Sequence, residues 1–124
     1  MKYIILDTNF MISCLGFKID IMGELTRICD FNFKPAVLQA TLSELEKLIK
    51  EGEYFERKQA TLALRFIQSR MDILPQEGYA DEILAALDPD KYIIATQDAD
   101  LVKKLRLKGF KLVRIRQKKH LIIQ

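Results

Sequence analysis

Short apolar runs alternate along the chain with longer stretches in which apolar residues recur at helical spacing. The run Tyr3–Leu6 ends abruptly at Asp7, a pattern typical of a strand buried on both faces of a sheet. Similar runs predict further strands at residues 36–38, 71–74, 92–96 and 111–116. Helical spacing predicts helices at residues 18–30, 41–49, 54–70, 79–87 and 98–107. Strands alternating with helices indicate a parallel sheet covered on both faces, an α/β sandwich.

Length and composition are those of one globular domain. The 124 residues are 49% hydrophobic and 30% charged, which excludes disordered and collagen-like chains. The longest uncharged run, Thr8–Phe17, is half the roughly 20 residues that a membrane helix needs. No secretion signal precedes the first strand, because Met1 and Lys2 lead directly into it. We therefore expect a soluble, cytoplasmic protein with no membrane partner.

Cysteine and histidine are too few for several kinds of catalysis. Cys14 and Cys29 have neither C-x-x-C spacing nor histidine partners, so we expect small core residues and no zinc site or disulfide framework. The single histidine, His120, is expected at the surface and argues against Ser-His-Asp or Cys-His chemistry. Any catalysis is left to carboxylates.

Carboxylates follow the predicted strands in a recurring way. Ligands of parallel sheets sit at the carboxyl ends of the strands, and each of four strands is followed by acids there: Asp7, Glu44, Asp81, and Asp98 with Asp100. Two carboxylates about 4 Å apart repel by roughly 4 kcal/mol at an effective dielectric of 20, so such a cluster requires a cation. Oxygen ligands without cysteine or histidine favour Mg²⁺ or Mn²⁺.

Each acid also has a purely structural interpretation. Asp7 could form an Asx turn, and Asp81 and Asp98 could cap helices. Glu44 stands three residues after Thr41, the spacing of a capping box in the first turn of a helix, and Ser43 with Glu46 offers a second register. For any one of these acids alone, a structural role is commoner than a catalytic one. Because four such acids follow four strands, a purely structural role for all of them is less favoured.

The motifs in which these acids lie resemble the PIN domain family of metal-dependent ribonucleases. They are Leu6-Asp7-Thr8-Asn9, Ser43-Glu44-Leu45-Glu46, Tyr79-Ala80-Asp81-Glu82-Ile83-Leu84 and Ile93-Ile94-Ala95-Thr96-Gln97-Asp98-Ala99-Asp100-Leu101. The resemblance spans residues 3 to about 115 and is greatest to the branch tied to ribosomal RNA processing. It implies a three-layer α/β/α sandwich whose parallel sheet has about five strands.

The same resemblance implies a catalytic site made by Asp7, Glu44, Asp81 and Asp98, supported by Asn9 and Thr96. Asp7, Asp81, Asp98 and, second in rank, Asp100 would be the metal ligands, and Glu44 would be a ligand or orient the nucleophile. The expected function is a Mg²⁺- or Mn²⁺-dependent endoribonuclease leaving 5′-phosphate and 3′-hydroxyl ends. The alternatives are a PIN module that binds RNA or a partner without cutting, and a toxin ribonuclease of a toxin–antitoxin pair.

Positive charge is concentrated at the end of the chain. Nine Lys or Arg and no acid follow Asp100, whereas residues 1–100 carry 11 basic and 17 acidic residues. We expect a nuclease domain at residues 1–116 and a basic, then apolar tail at 117–124. RNA binding is expected at Arg114, Arg116, Lys118 and Lys119.

Other interactions stay open at this stage. The apolar run Leu121-Ile122-Ile123 could return to the sheet or pair with a second copy, and ribosome-processing factors are a further possible class of partner. The aromatic residues Tyr54, Phe55 and Phe66 of the long helix are expected in the core rather than in a base-stacking platform.

Overall fold

The computed structural model describes residues 1–76 and 78–124. Within these residues the chain forms strands β1 (Lys2–Leu6), β2 (Phe33–Leu38), β3 (Asp72–Leu74), β4 (Tyr92–Ala95), β5 (Leu112–Arg116) and β6 (His120–Ile123). The helices are α1 (Thr8–Gly16), α2 (Ile21–Ile28), α3 (Gln39–Glu51), α4 (Tyr54–Arg70), α5 (Ala80–Ala86) and α6 (Ala99–Leu107). None of these helices is both long and apolar enough to cross a membrane.

The strands form one sheet in the order β3-β2-β1-β4-β5-β6. The first five strands in this order are mutually parallel, and β6 pairs antiparallel with β5. Strand β1 lies between β2 and β4, which explains its continuous apolar run. The predicted α/β class and predominantly parallel sheet are confirmed, and the sheet gains a sixth, antiparallel strand.

Two hydrophobic cores cover the two faces of the sheet. Ile4 and Leu6 of β1 contribute to the core beneath α1–α4, whereas Ile5 contributes to the core beneath α5 and α6. This division follows from the strand geometry, because successive side chains point to opposite faces. The result is a three-layer sandwich in which the carboxyl ends of the parallel strands share one edge.

Helix α1 is absent from the sequence-based prediction. Its apolar and uncharged residues give no amphipathic pattern, because Thr8, Phe10, Met11 and Cys14 are all buried against the sheet and the neighbouring helices. A helix with so little exposed surface has no wide polar face. Its first residue follows Asp7 directly, so the missed helix helps to position a candidate catalytic acid.

The aromatic residues of α4 are distributed differently from the prediction. Tyr54 is 73% exposed and Phe55 is 68% exposed, so placing them in the core was wrong. Both belong to the first turn of α4, ahead of the stripe Ala60, Ala63 and Ile67 that packs on the core. Phe66 is partly buried and does contact that core. Of the two cysteines, Cys14 is buried and Cys29 is half-buried.

The end of the chain folds back onto the sheet. Gln117 and Lys118, both with positive φ, form the turn between β5 and β6, and the Lys119 N–H donates to the Arg116 carbonyl. Positive φ at two successive residues is typical of a type I′ turn, here within a connection of three residues, 117–119, because Arg116 pairs with His120. Strand β6 therefore extends the domain where the sequence predicted a tail beginning at residue 117. The sequence analysis left two alternatives for the apolar run Leu121-Ile122-Ile123, and in the structure this run returns to the sheet as part of β6.

Helix α2 fixes the outer side of β6 through an ion pair. Glu24 accepts from the Leu121 N–H at 2.9 Å, and Arg27 donates to the Leu121 carbonyl at 2.9 Å. Hydrogen bonds from Arg27 and from the Leu121 N–H lower the pKa of Glu24 to about 2. His120 is exposed, as expected, with Nδ1 3.5 Å from the Glu24 carboxylate. The ion pair thus occupies polar backbone atoms that an edge strand leaves open.

Candidate functional site

The centre of the site is the junction of β1 and β4. Leu6 pairs with Ala95, so the next residue of each strand, Asp7 and Thr96, comes to the same place at the carboxyl edge. The Asp7 N–H donates to the Ala95 carbonyl at 3.0 Å, and the buried Thr96 hydroxyl donates to Asp7 Oδ2 at 3.1 Å. Strand register therefore fixes both the backbone and the carboxylate of Asp7.

Thr96 also connects Asp7 to Asp98. The Thr96 oxygen accepts from the Asp98 N–H at 3.2 Å, and Asp98 Oδ1 accepts from the N–H groups of Asp100 and Leu101 at 3.0 and 3.2 Å. Asp98 therefore caps α6, as its structural interpretation predicted. These bonds use Oδ1 and leave Oδ2 for a ligand. Asp100 is exposed in the first turn of α6.

Glu44 reaches the edge from α3, in the second turn rather than the first. Helix α3 begins at Gln39, with Leu38 at the N-cap position and no side-chain cap, so both capping-box interpretations were wrong. The buried Thr41 instead accepts from the Thr8 hydroxyl at 3.1 Å, which ties α3 to the start of α1. The sequence analysis missed Thr8 as a supporting residue, although its position directly after Asp7 was a usable signal.

The remaining predicted residues lie around this centre. Asp81 is exposed as the second residue of α5, whose N-cap position is Tyr79, again with no side-chain cap. Asp7 occupies the N-cap position of α1 without a side-chain cap bond. Asn9 is exposed and lines a groove of about 460 Å³ together with Glu44. Of the four acids, only Asp98 is used as a helix cap.

The acids influence one another electrostatically. Burial raises the pKa of Asp7 above its ordinary value of 3.8, and the charges of Asp81 and Asp98 raise it further, while bonds from Thr96 and Thr8 oppose this shift. Partial burial of its carboxyl group raises the pKa of Glu44, with a smaller contribution from the charge of Asp7, and the nearby Thr8 hydroxyl, which donates to Thr41, partly offsets this rise. Burial, and to a smaller extent neighbouring negative charge, therefore disfavours the charged forms of Asp7 and Glu44.

The chemistry of these donors fits a hard divalent cation. Every candidate ligand is a carboxylate or hydroxyl oxygen, the set that Mg²⁺ and Mn²⁺ prefer. Across residues 1–76 and 78–124, no three His, Cys, Asp or Glu side chains are gathered closely enough to form a metal site. The donor types and their mutual repulsion fit the ion, and the assignment of individual ligands stays a prediction.

The basic residues lie along the same edge. Strand β5 is parallel to β4, so Arg116 and the turn after it lie at the carboxyl ends of the strands. Gln97, between Thr96 and Asp98, accepts from Arg114 Nε at 3.0 Å and from the Ile115 N–H at 2.9 Å. Arg116, Lys118 and Lys119 are exposed, and Lys118 Nζ lies 5.8 Å from the centre of the Phe17 ring. Gln97 thus links the segment between Thr96 and Asp98 to β5, the strand that leads into the basic turn.

Comparison with known proteins gives a family match over most of the chain. Residues 4–118 match the family described as the PIN-like domain. The chain belongs to this family. Because the match covers nearly the whole chain, from β1 to the turn before β6, it confirms the resemblance that the sequence motifs carried.

Relatives of this PIN-like domain fall into two groups. The chain is 32% identical over 124 residues to ribonuclease VapC4 of Methanocaldococcus jannaschii, covering 97% of this chain and 95% of that protein. It is 30% identical over 110 residues to the rRNA-processing protein fcf1 of Schizosaccharomyces pombe, covering 84% of this chain and 53% of that protein. This PIN-like domain therefore spans about half the length of the rRNA-processing relative.

A solved structure supports the same fold. The structure of the PIN domain endonuclease Utp24 superposes with a TM-score of 0.80 and 26% sequence identity, covering 98% of this chain and 90% of that one. Among these relatives, VapC4 is a ribonuclease, Utp24 is an endonuclease and fcf1 is an rRNA-processing protein.

Proposed function

We propose that this protein is a divalent-metal-dependent endoribonuclease. The observation that carries the proposal is the chain of bonds from the Asp98 backbone N–H through the Thr96 hydroxyl to the Asp7 carboxylate, which links the ends of β1 and β4. Burial, with a smaller contribution from neighbouring acids, raises the pKa values of Asp7 and Glu44, and a bound cation would favour their charged forms. A domain that only binds phosphates gains nothing from such a concentration of negative charge, which disfavours the binding-only alternative.

The residues divide the chemistry among themselves. Asp7, Asp81 and Asp98 would hold Mg²⁺ or Mn²⁺, with Asp100 as a further ligand. When bound, the ion would offset the charge on the scissile phosphate and lower the pKa of water. Thr96 keeps Asp7 Oδ2 in one orientation by donating its hydroxyl. Glu44, whose pKa is raised, is suited to orient the attacking water and accept its proton.

Affinity for the substrate would come from the basic turn. An acidic centre repels an RNA backbone, so cations must hold the phosphates on either side of the scissile bond. Arg114, Arg116, Lys118 and Lys119 are suited to this role because β5 brings them to the same edge of the sheet. We assign these residues to RNA binding rather than to the reaction itself.

Two biological roles remain for the same chemistry. The rRNA-processing relatives favour a role in ribosomal RNA maturation or RNA turnover, whereas the match to VapC4, which extends over nearly all of both chains, favours a toxin ribonuclease. Copurification of rRNA precursors with the protein would support the first role. A small antitoxin encoded beside the gene would support the second.

The proposal is tested by incubating the protein with end-labelled single-stranded RNA and Mn²⁺. Internal cleavage is expected with the wild type, and none is expected with excess EDTA or with Asp7→Asn. Asp90→Asn is a matched control, because Asp90 is an exposed acid that precedes β4 at the opposite edge of the sheet. RNA binding without cleavage by the wild type would contradict the enzyme and favour the binding module.

A further inference from the structure

A pocket of about 460 Å³ lies where helix α2 meets the hairpin of β5 and β6, at the outer margin of the sheet. Its lining includes Glu24, Arg27, Arg116, Gln117, His120 and Ile122. His120 and Ile122 follow residue 118, where the match to the PIN-like family ends. The antiparallel strand β6 therefore builds this pocket together with residues of the matched region.

Arg116 and His120 stand side by side in the pocket. They are partners in the register of β5 and β6, so their side chains share one face of the sheet. The neighbouring pair, Ile115 and Leu121, packs on the core, and alternation along each strand turns Arg116 and His120 away from it. The hairpin thus exposes a guanidinium beside an imidazole.

Helix α2 balances the one acid among the described lining residues. Arg27 Nε and Nη2 donate to the two Glu24 oxygens at 2.9 and 3.0 Å, and the Leu121 N–H donates to the same carboxylate. These bonds leave Nη1 of Arg27 for a ligand. Within the described part of the chain the Arg116 guanidinium forms no ion pair. The excess positive charge of the pocket therefore belongs to Arg116.

These groups match the charge and the oxygens of a phosphodiester. The guanidinium of Arg116 is suited to its single negative charge, and Gln117 and Nη1 of Arg27 add donors for its oxygens. His120 Nδ1 lies 3.5 Å from Glu24 Oε1, so a neutral ring keeps its proton on that side. Its Nε2 then donates to a ligand only after the ring gains a second proton.

We propose that this pocket binds a phosphate of the RNA backbone, at a distance from the carboxylate centre. RNA is the source that the position favours, because Arg114 shares the face of Arg116 and is bonded to Gln97, next to Asp98. A strand that leaves the reaction centre passes Arg114 and Arg116 before it reaches His120. The inference rests on the proposed ribonuclease function and adds a phosphate site that binds more tightly as pH falls.

RNA binding at pH 6 and pH 8 tests this site. A short fluorescent single-stranded RNA is titrated without metal into the Asp98→Asn protein, where no cleavage interferes. Binding should be roughly three- to fivefold tighter at pH 6, the scale of one exposed charge pair, with a log–log salt slope steeper by about 0.7. His120 is the single histidine of the chain, so adding His120→Gln should remove this pH dependence.

A charge placed inside the pocket provides a second test. Adding Ile122→Glu to the same protein should weaken RNA binding about tenfold or more, because the new carboxylate repels the phosphate. Leu107→Glu is the matched control, since Leu107 is 90% exposed at the end of α6 and lies outside the pocket. Thermal melts verify folding, and the exposed position of His120 keeps the first test decisive if Ile122→Glu unfolds.

The outcomes separate this site from the nuclease activity. Loss of pH dependence in His120→Gln, in a protein whose wild type never cleaves RNA, would support the pocket and contradict only the nuclease. Binding that is independent of pH before His120 is replaced would overturn the pocket. A pH dependence that persists in His120→Gln, or equal losses for Ile122→Glu and Leu107→Glu, would overturn it as well.

Discussion

Two regions at one edge of the sheet are built in opposite ways. The carboxylate centre, Asp7 with Thr96 and Asp98, is fixed by strand register and by successive hydrogen bonds. The basic turn, Arg116 to Lys119, belongs to a hairpin whose cationic residues are exposed, with Lys118 Nζ near the Phe17 ring. Under the proposed function, geometry is imposed where bonds would be made and broken. Charge alone would suffice where a flexible backbone of phosphates is to be held.

This difference predicts that removing one acid abolishes activity without unfolding the protein. Asp98→Asn should reduce RNA cleavage on the order of 10²–10³-fold or more, because the ion that would offset the charge on the reacting phosphate loses one of its proposed ligands. Stability should change little, since Asn caps a helix about as well as Asp and can still accept from Asp100 and Leu101. Cleavage rates and thermal melts of the same preparation measure both. Wild-type cleavage by this variant would remove Asp98 from the site.

Removing the cations of the turn should affect binding instead. The combined substitution Arg116→Ala, Lys118→Ala and Lys119→Ala should weaken RNA binding and make the log–log salt slope shallower by up to about 2, since each contact to a single strand contributes about 0.7. Turnover at saturating RNA should change far less. Fluorescence anisotropy at several salt concentrations provides the slope.

The control for this triple variant removes equal charge from the opposite edge. Lys2, Lys91 and Lys111 precede or begin β1, β4 and β5, and their replacement by alanine should leave the slope unchanged. Equal slopes for both triple variants and the wild type would contradict a role of the basic turn in RNA binding and would identify it as an ordinary solvated surface.

When no metal is present, the acidic centre should lower the thermal stability of the folded protein. Asp7→Asn in EDTA at neutral pH is expected to raise Tm by roughly 2–5 °C, because it removes a charge that burial and two neighbouring acids make unfavourable. The folded pKa of Asp7 lies above its ordinary value of 3.8, so the wild type recovers this loss as pH falls through the folded pKa toward 3.8. The Tm difference between variant and wild type should shrink over that interval. A difference independent of pH would contradict the electrostatic explanation.

The smallest expected effect is a gain of stability from a substitution in the turn between β5 and β6. Gln117 adopts a φ of 55°, which asparagine tolerates better than glutamine, so Gln117→Asn should stabilise the protein by about 0.5 kcal/mol. Gln68→Asn, on the exposed side of α4, should instead destabilise slightly because asparagine is the poorer helix former. Urea unfolding of both variants measures the two signs.

The sequence predicted best the features governed by local pattern. Helix α4 has the predicted bounds, and the acids at strand ends follow from a parallel sheet whose strands read as continuous apolar runs. Helix α1 escaped prediction because burial on nearly all sides erases amphipathic spacing. Strand β6 depends on Glu24 and Arg27, distant in sequence, bonding the backbone of Leu121. Local pattern cannot supply such contacts.

Within the site, sequence motifs identified the acids but not how each is held. Thr41 read as a helix cap, whereas it accepts a bond from Thr8 and ties two helices together. Tyr79 stood inside a recognised motif, yet that motif does not indicate that its side chain is 79% exposed or that the preceding Gly78 has a positive φ. Tertiary packing and backbone geometry decided these positions, and neither leaves a periodic signal in the sequence.

The central claim is that these acids form one metal site, and Mn²⁺ binding tests it most directly. Electron paramagnetic resonance reports free Mn²⁺ during a titration of the wild type, the Asp7→Asn/Asp81→Asn variant and the Asp90→Asn control. Saturable binding is expected for the wild type and the control, with a loss of affinity of at least about tenfold in the double variant. When free metal is a hundredfold above its Kd, the wild type should gain about 2.7 kcal/mol of stability, and the double variant should not. Equal Mn²⁺ affinity in the wild type and the double variant would contradict the account.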